Sequence, residues 1–127
     1  MKKDEILSIV KTINEQLLWS ASLSTQLCWG VERRIACLYE NKATLKLKVN
    51  GFEHKGYVLI SYDEGSDTYE LRLTNENEEV VKFVENVYCD EIGSLVDRYV
   101  EYGDCTEEEY KEKVKSFLNT QRQLDIL

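Results

Sequence analysis

The 127-residue sequence has no proline, one histidine and no C-x-x-C pair among its four cysteines. With no proline, no low-complexity linker and no internal repeat, nothing marks a second domain, so the chain reads as one domain over residues 1–127. The lone histidine, His54, excludes a multi-histidine metal site. Cys28, Cys37, Cys89 and Cys105 lack zinc spacing and, without an export signal, read as buried thiols rather than disulfides. The opening MKKDEILSIVK places charges on both sides of a very short apolar run. It fits neither a signal peptide nor a membrane span, and a cytoplasmic location is expected. Missing too are a nucleophile–base pair, a phosphate-binding loop and any RNA-recognition, zinc-finger or helix-turn-helix signature. No catalytic residue, cofactor or metal is assigned.

What is present is an ordinary globular composition. With 43% hydrophobic and 31% charged residues the chain is not disordered, and its length suffices to bury roughly two-thirds of the unfolded surface. The net charge of −8 is unevenly spread. Residues 1–62 carry nine basic against six acidic side chains, a balance of +3, and residues 63–127 carry seven against eighteen, a balance of −11. Such an acidic half argues against direct nucleic-acid binding, which needs a basic footprint. It suits an acidic interaction surface or a nucleic-acid mimic, and equally serves plain solubility.

The stretch Ala43–Thr74 organises the chain as three antiparallel strands. Leu45, Leu47 and Val49 alternate with Thr44, Lys46 and Lys48, the period of a half-buried strand. Asn50-Gly51 is the preferred centre of a two-residue hairpin turn. That turn would set Val49 opposite Phe52, Leu47 opposite His54, Leu45 opposite Gly56 and Ala43 opposite Val58. A four-residue turn at Asp63–Ser66 would then set Tyr69 opposite Ile60 and Leu71 opposite Val58. The inner face becomes Phe52, His54, Gly56, Val58, Ile60, Tyr62, Tyr69, Leu71 and Leu73 together with the first strand's apolar set. The outer face carries Lys46, Lys48, Lys55, Tyr57 and Arg72, with Lys46 opposite Lys55 and Tyr57 opposite Arg72. Like charges face to face mark a candidate interaction surface for an anionic or aromatic partner. Exposed lysines also simply discourage edge pairing.

Around this sheet, Lys3–Leu18 is an amphipathic helix with Ile6, Val10, Ile13 and Leu17 on one stripe. Ser20–Thr25 reads as a loop. A strand is expected through Trp29-Gly30-Val31, with an ambiguous continuation to a turn at Glu40–Lys42. A further strand is expected over Val80–Val87, then a helix capped by Asp90 and ended by Gly103. Its outer side would carry Asp97 and Glu101, four apart, able to bind a cation or act as an acid–base pair, though carboxylates on a solvated helix usually do neither. A capping box at Thr106–Glu109 opens a last helix. Trp29 beside Gly30 suggests either ligand stacking or a core tryptophan over a bare glycine. With His54 it defines a weaker candidate ligand cleft. The fold class is therefore α+β: an N-terminal helix, an antiparallel meander of four to five strands, and two C-terminal helices packed on the sheet.

The pattern Trp29-Gly30, Val49-Asn50-Gly51-Phe52, His54-Lys55-Gly56-Tyr57-Val58, Asp67-x-Tyr69, Val87-Tyr88-x-Asp90-Glu91 and Asp97-x-x-Val100-Glu101 resembles small uncharacterised proteins of anaerobic gut bacteria and their phages and mobile elements. The resemblance covers roughly residues 29–101 and implies a compact accessory protein, with no activity or site residue to carry over. The expected function is a non-enzymatic interaction or regulatory module, acting on a protein partner or as a homodimer. The alternatives are an acidic mimic that occupies a DNA-handling protein, or a small enzyme or ligand-binding domain built around Trp29 and His54.

Overall fold

In a computed structural model, residues 1–102 together with 108, 111, 112 and 115 are described. Helix α1 spans Lys3–Ser20 and α2 spans Leu23–Cys28. Five strands follow: β1 Arg33–Tyr39, β2 Lys42–Asn50, β3 Lys55–Asp63, β4 Thr68–Thr74 and β5 Val80–Val87. Helix α3, Ile92–Asp97, continues into a π-helical turn, Arg98–Tyr102. The strands form one antiparallel meander in chain order, β1-β2-β3-β4-β5. The α+β architecture is as the patterning predicts. The expected final helix lies largely outside the described residues.

The core occupies one face of the sheet. Val10, Ile13 and Leu17 of α1 meet Leu45, Leu47, Val49, Val58, Ile60, Leu71 and Leu73, and Ile92, Val96 and Val100 close the same cluster. The α1 residues recur at helical spacing and the strand residues at alternate positions, so each element presents a single apolar face.

Two local expectations are overturned, the loop at Ser20–Thr25 and the strand through Trp29-Gly30-Val31, while the turn expected at Glu40–Lys42 is present. Ser20–Thr25 is not simply a loop, because the Ser22 hydroxyl accepts the Thr25 amide at 3.3 Å and caps α2. Trp29 is then the C-cap of α2 rather than part of a strand, and Gly30 at φ 62° turns the chain toward β1. Strand β1 starts only at Arg33, and Glu40 and Asn41, at φ 50° and 65°, make the two-residue turn into β2.

The Asn50-Gly51 pair makes no such turn. Its loop spans residues 51–54, closed by the Gly51 amide to the His54 carbonyl at 3.0 Å. The loop also takes a bond from the π-helical turn, the Glu53 amide donating to the Val100 carbonyl at 2.9 Å. Gly51 is needed for close approach instead: a Cβ there would lie 2.4 Å from Val100 Cγ1. Strands β2 and β3 therefore pair as Val49–Gly56, Leu47–Val58 and Leu45–Ile60. Strands β3 and β4 pair as Ile60–Leu71 and Tyr62–Tyr69. Lys46 faces Leu59 rather than Lys55, and Arg72 faces Leu59 rather than Tyr57. Both corrections move the partner by an even number of residues, so the inner-face strand residues still face the core.

Candidate functional site: the polar face of the sheet

The face of the sheet opposite α1 carries a buried polar network. Arg72 of β4 lies between two aromatic rings, 4.7 Å from the Tyr39 centroid on β1 and 4.6 Å from Phe83 on β5. Its guanidinium reaches Glu70 Oε2 at 2.8 Å and Glu40 Oε2 at 3.2 Å, while Lys42 binds the other Glu70 oxygen. Thr44 and Ser61 share a buried hydrogen bond at 2.7 Å. Lys46 sits 4.4 Å over the Tyr57 ring and pairs with Glu78. Leu59, flanked by Lys46 and Arg72, is consequently buried on a face without an apolar run.

The electrostatics follow from this pairing. Burial alone would raise the Glu70 carboxyl, but the bonds from Lys42 and Arg72 outweigh it and hold the group below the usual glutamate range. Lys42 is raised in turn by its bond to Glu70. Arg72 Nη1 lacks a hydrogen-bond partner but is sealed from solvent, so it offers nothing to a dissolved anion. The network neutralises its own charges and links side chains of β1, β2, β4 and β5.

Of the expected surface residues, the structure gathers Lys48, Lys55 and Tyr57 around an open pocket of about 390 Å³, with Glu32, Asn50 and Glu76. Lys48 lies 3.4 Å from Glu32, so two lysines are offset by two carboxylates and the pocket has no net sign. Lys46 and Arg72 belong to the network instead.

Trp29 and His54 do not form a cleft together. Trp29 is fully buried and its indole Nε1 donates to Asp97 Oδ1 at 2.8 Å. That places it as a core residue whose one polar atom is satisfied. The half-buried His54 ring has Nε2 3.3 Å from the Tyr57 carbonyl oxygen, and among the described residues no thiol or carboxylate is bonded to it. Asp97 and Glu101 are not a solvated acidic pair either. Asp97 serves Trp29, and Glu101 is buried. The helix turns these positions inward because Val96 and Val100 beside them must reach the core. Three cysteines also depart from the expected burial, since Cys28 and Cys89 are exposed and Cys37 is half-buried, while Cys105 lies outside the described residues. Burial pushes the Cys37 thiol up, which makes it a poor nucleophile. Among the described residues no His, Cys, Asp and Glu side chains group as a metal site. No described helix is long and apolar enough to cross a membrane.

Comparison with protein-family models, curated proteins and solved structures returns no match.

One feature escaped the sequence reading. At the corner between α1 and α2, Trp19 is 91% exposed, Leu27 71% and Leu23 61%. Leu18 joins them and, with Glu15 and Trp19, lines an open pocket. The available signal was Leu23 and Leu27, four apart on what is the short helix α2, which the loop expected over Ser20–Thr25 concealed.

Proposed function

We propose that this chain is a non-enzymatic interaction module that binds protein. The observation that carries the reading is the apolar corner of Trp19, Leu23 and Leu27, left open to solvent. Contiguous exposed apolar side chains on a small protein mark contact surfaces, and buried tryptophan dominates the energetics of such contacts. The charged candidates support the same reading. Lys42 and Arg72 engage Glu70, Lys46 pairs with Glu78, and the pocket beside Tyr57 balances its own charge.

Light scattering after size exclusion on gently purified native protein, with mass spectrometry of co-eluting chains, tests this. A dimer or a stoichiometric protein partner is expected, and W19A should weaken any contact made through the corner by about tenfold or more. Complex formation should also move Trp19 emission to the blue, a change distinguishable from the buried Trp29. A lone monomer in which W19A alters nothing would overturn the proposal.

A further inference from the structure

The two edges of the meander are unlike. At the β5 edge the pairing with β4 is irregular at two places, between Tyr69 and Leu71 and between Leu73 and Thr74. Asn86 there is at φ 57°. Bulges of this kind blunt an edge against further pairing. The β1 edge is different, pairing with β2 without interruption over all seven residues from Arg33–Lys48 to Tyr39–Lys42.

The turn fixes which backbone groups remain free. Because Glu40 and Asn41 form a two-residue turn, Tyr39 and Lys42 are the hydrogen-bonded pair that closes the hairpin. Hydrogen-bonded positions then alternate along β1. Arg33, Ile35, Cys37 and Tyr39 direct their amides and carbonyls to β2. Arg34, Ala36 and Leu38 direct theirs away from the sheet, where the described residues supply no backbone partner. Leu38, on the core side of this edge, is 44% exposed. Leu7 of α1 is similarly uncovered.

Resting on the reading of this chain as an interaction module, we propose a contact separate from the Trp19 corner, in which a second copy of this chain is joined β1 to β1 across a two-fold axis at Ala36. The strand is self-complementary in that register. Ala36 faces Ala36, Ile35 faces Cys37, Arg34 faces Leu38 and Arg33 faces Tyr39, with no like charges opposed within the strand. Glu32 and the partner's Glu40 meet only beyond its ends, where Glu40 is already paired with Arg72. Arg34 is already held by Asn14 of α1, at 2.9 Å, and by Gln26 of α2. Its aliphatic stem is thereby fixed beside the edge, ready to cover the partner's Leu38. Arg33 approaches the partner's Tyr39 ring, a favourable cation–π pair. The Arg34–Leu38, Ala36–Ala36 and Leu38–Arg34 pairs each exchange two bonds, about six in all. Shifting the register by two residues in one direction sets Glu32 against Leu38, and in the other leaves both arginines beyond the paired strand. The smallest side chain sits at the axis, where two sheets and their helices must approach. The product is a continuous ten-stranded sheet.

The test uses two variants of the full chain. A36P removes an outward amide that has no backbone partner among the described residues, so the isolated sheet keeps its ladder. I35C places a new thiol opposite the partner's Cys37 at a non-hydrogen-bonded pair, where side chains are closest. Wild-type protein is expected at twice the 14.9 kDa of one chain by light scattering. A36P should be monomeric with an unchanged circular dichroism spectrum, and oxidised I35C should yield a covalent dimer bridged between residues 35 and 37. A monomeric wild type overturns the β1 dimer, as does a dimer that survives A36P or leaves I35C uncrosslinked. In either case a different self-contact or a stoichiometric heterologous protein would leave the interaction-module reading standing. A wild-type monomer lacking any such protein would remove both.

Discussion

The two tryptophans show how little residue type alone decides. Trp19 and Trp29 are ten positions apart, yet one is almost wholly exposed and the other wholly buried. Asp97 gives the buried one its polar partner across 68 residues of chain. Asp97→Ala strands that indole N–H and should cost about 1–3 kcal/mol, with Asp97→Asn costing less because it keeps an acceptor. Urea denaturation of the two variants measures the difference, and equal losses would mean the bond contributes nothing. Tyr69 carries a second residue-level consequence. Burial raises its phenol to about 12, and its hydroxyl donates to Gln16. The unfolded phenol ionises near its ordinary value of about 10, so this group's stabilisation is full below that pH and falls away toward 12. Between pH 9 and pH 11 the urea midpoint of wild type should therefore fall further than that of Tyr69→Phe, and a parallel fall would refute the assignment. Neither partnership was legible in the sequence. Trp29 could be read as core, but nothing local to it identifies Asp97, because a helix pattern gives the facing of carboxylates only once its apolar stripe is placed.

At the scale of the element, the amino-acid pattern makes legible which strand residues face the core but not which residues face one another. Leu45, Leu47 and Val49 declare their face by alternation, a property of each strand alone. Pairing depends on the turn, and Asn50-Gly51 carried a hairpin signal that tertiary structure overrode, since Val100 packs where a Gly51 side chain would be. The genuine two-residue turn uses Glu40-Asn41, in which glutamate at positive φ gives no comparable signal. Ser22 capping α2 was present in the sequence, but a single serine among SASLST is equally a loop residue. The polar network was partly readable: Lys46, Tyr57 and Arg72 were placed on the correct face, whereas their partners Glu78, Tyr39 and Phe83 come from more distant positions. Gly56 illustrates an element-level constraint. It holds φ 141°, and a Cβ there would fall 2.2 Å from the Thr74 carbonyl oxygen. Gly56→Ala is therefore expected to destabilise by about 2 kcal/mol or more, combining backbone strain with displacement of β4. A thermal melt checks this, and an unchanged midpoint would show that the β3–β4 ladder shifts freely.

The molecule as a whole is a meander whose strands all pair with their chain neighbours, tied by a few distant contacts between its two ends. Besides Trp29–Asp97, the Gly93 amide donates to Ser20 Oγ at 2.9 Å, joining α3 to the end of α1 across 73 residues. The helices thus close over a sheet built by local steps, and among the described residues no strand pairs with the outer side of β1. This arrangement has a consequence in time as well as in energy. Neighbouring hairpins have short loops to close, whereas the ends can meet only after the intervening strands have drawn together. The sheet should accordingly assemble before α3 docks, and the docking contacts should be largely absent at the folding barrier. The stability lost in Asp97→Ala is then expected to emerge as faster unfolding with refolding almost unchanged. A protein assembled in that order would lose its helical closure first on every opening, exposing Trp29 briefly while the strands remain paired.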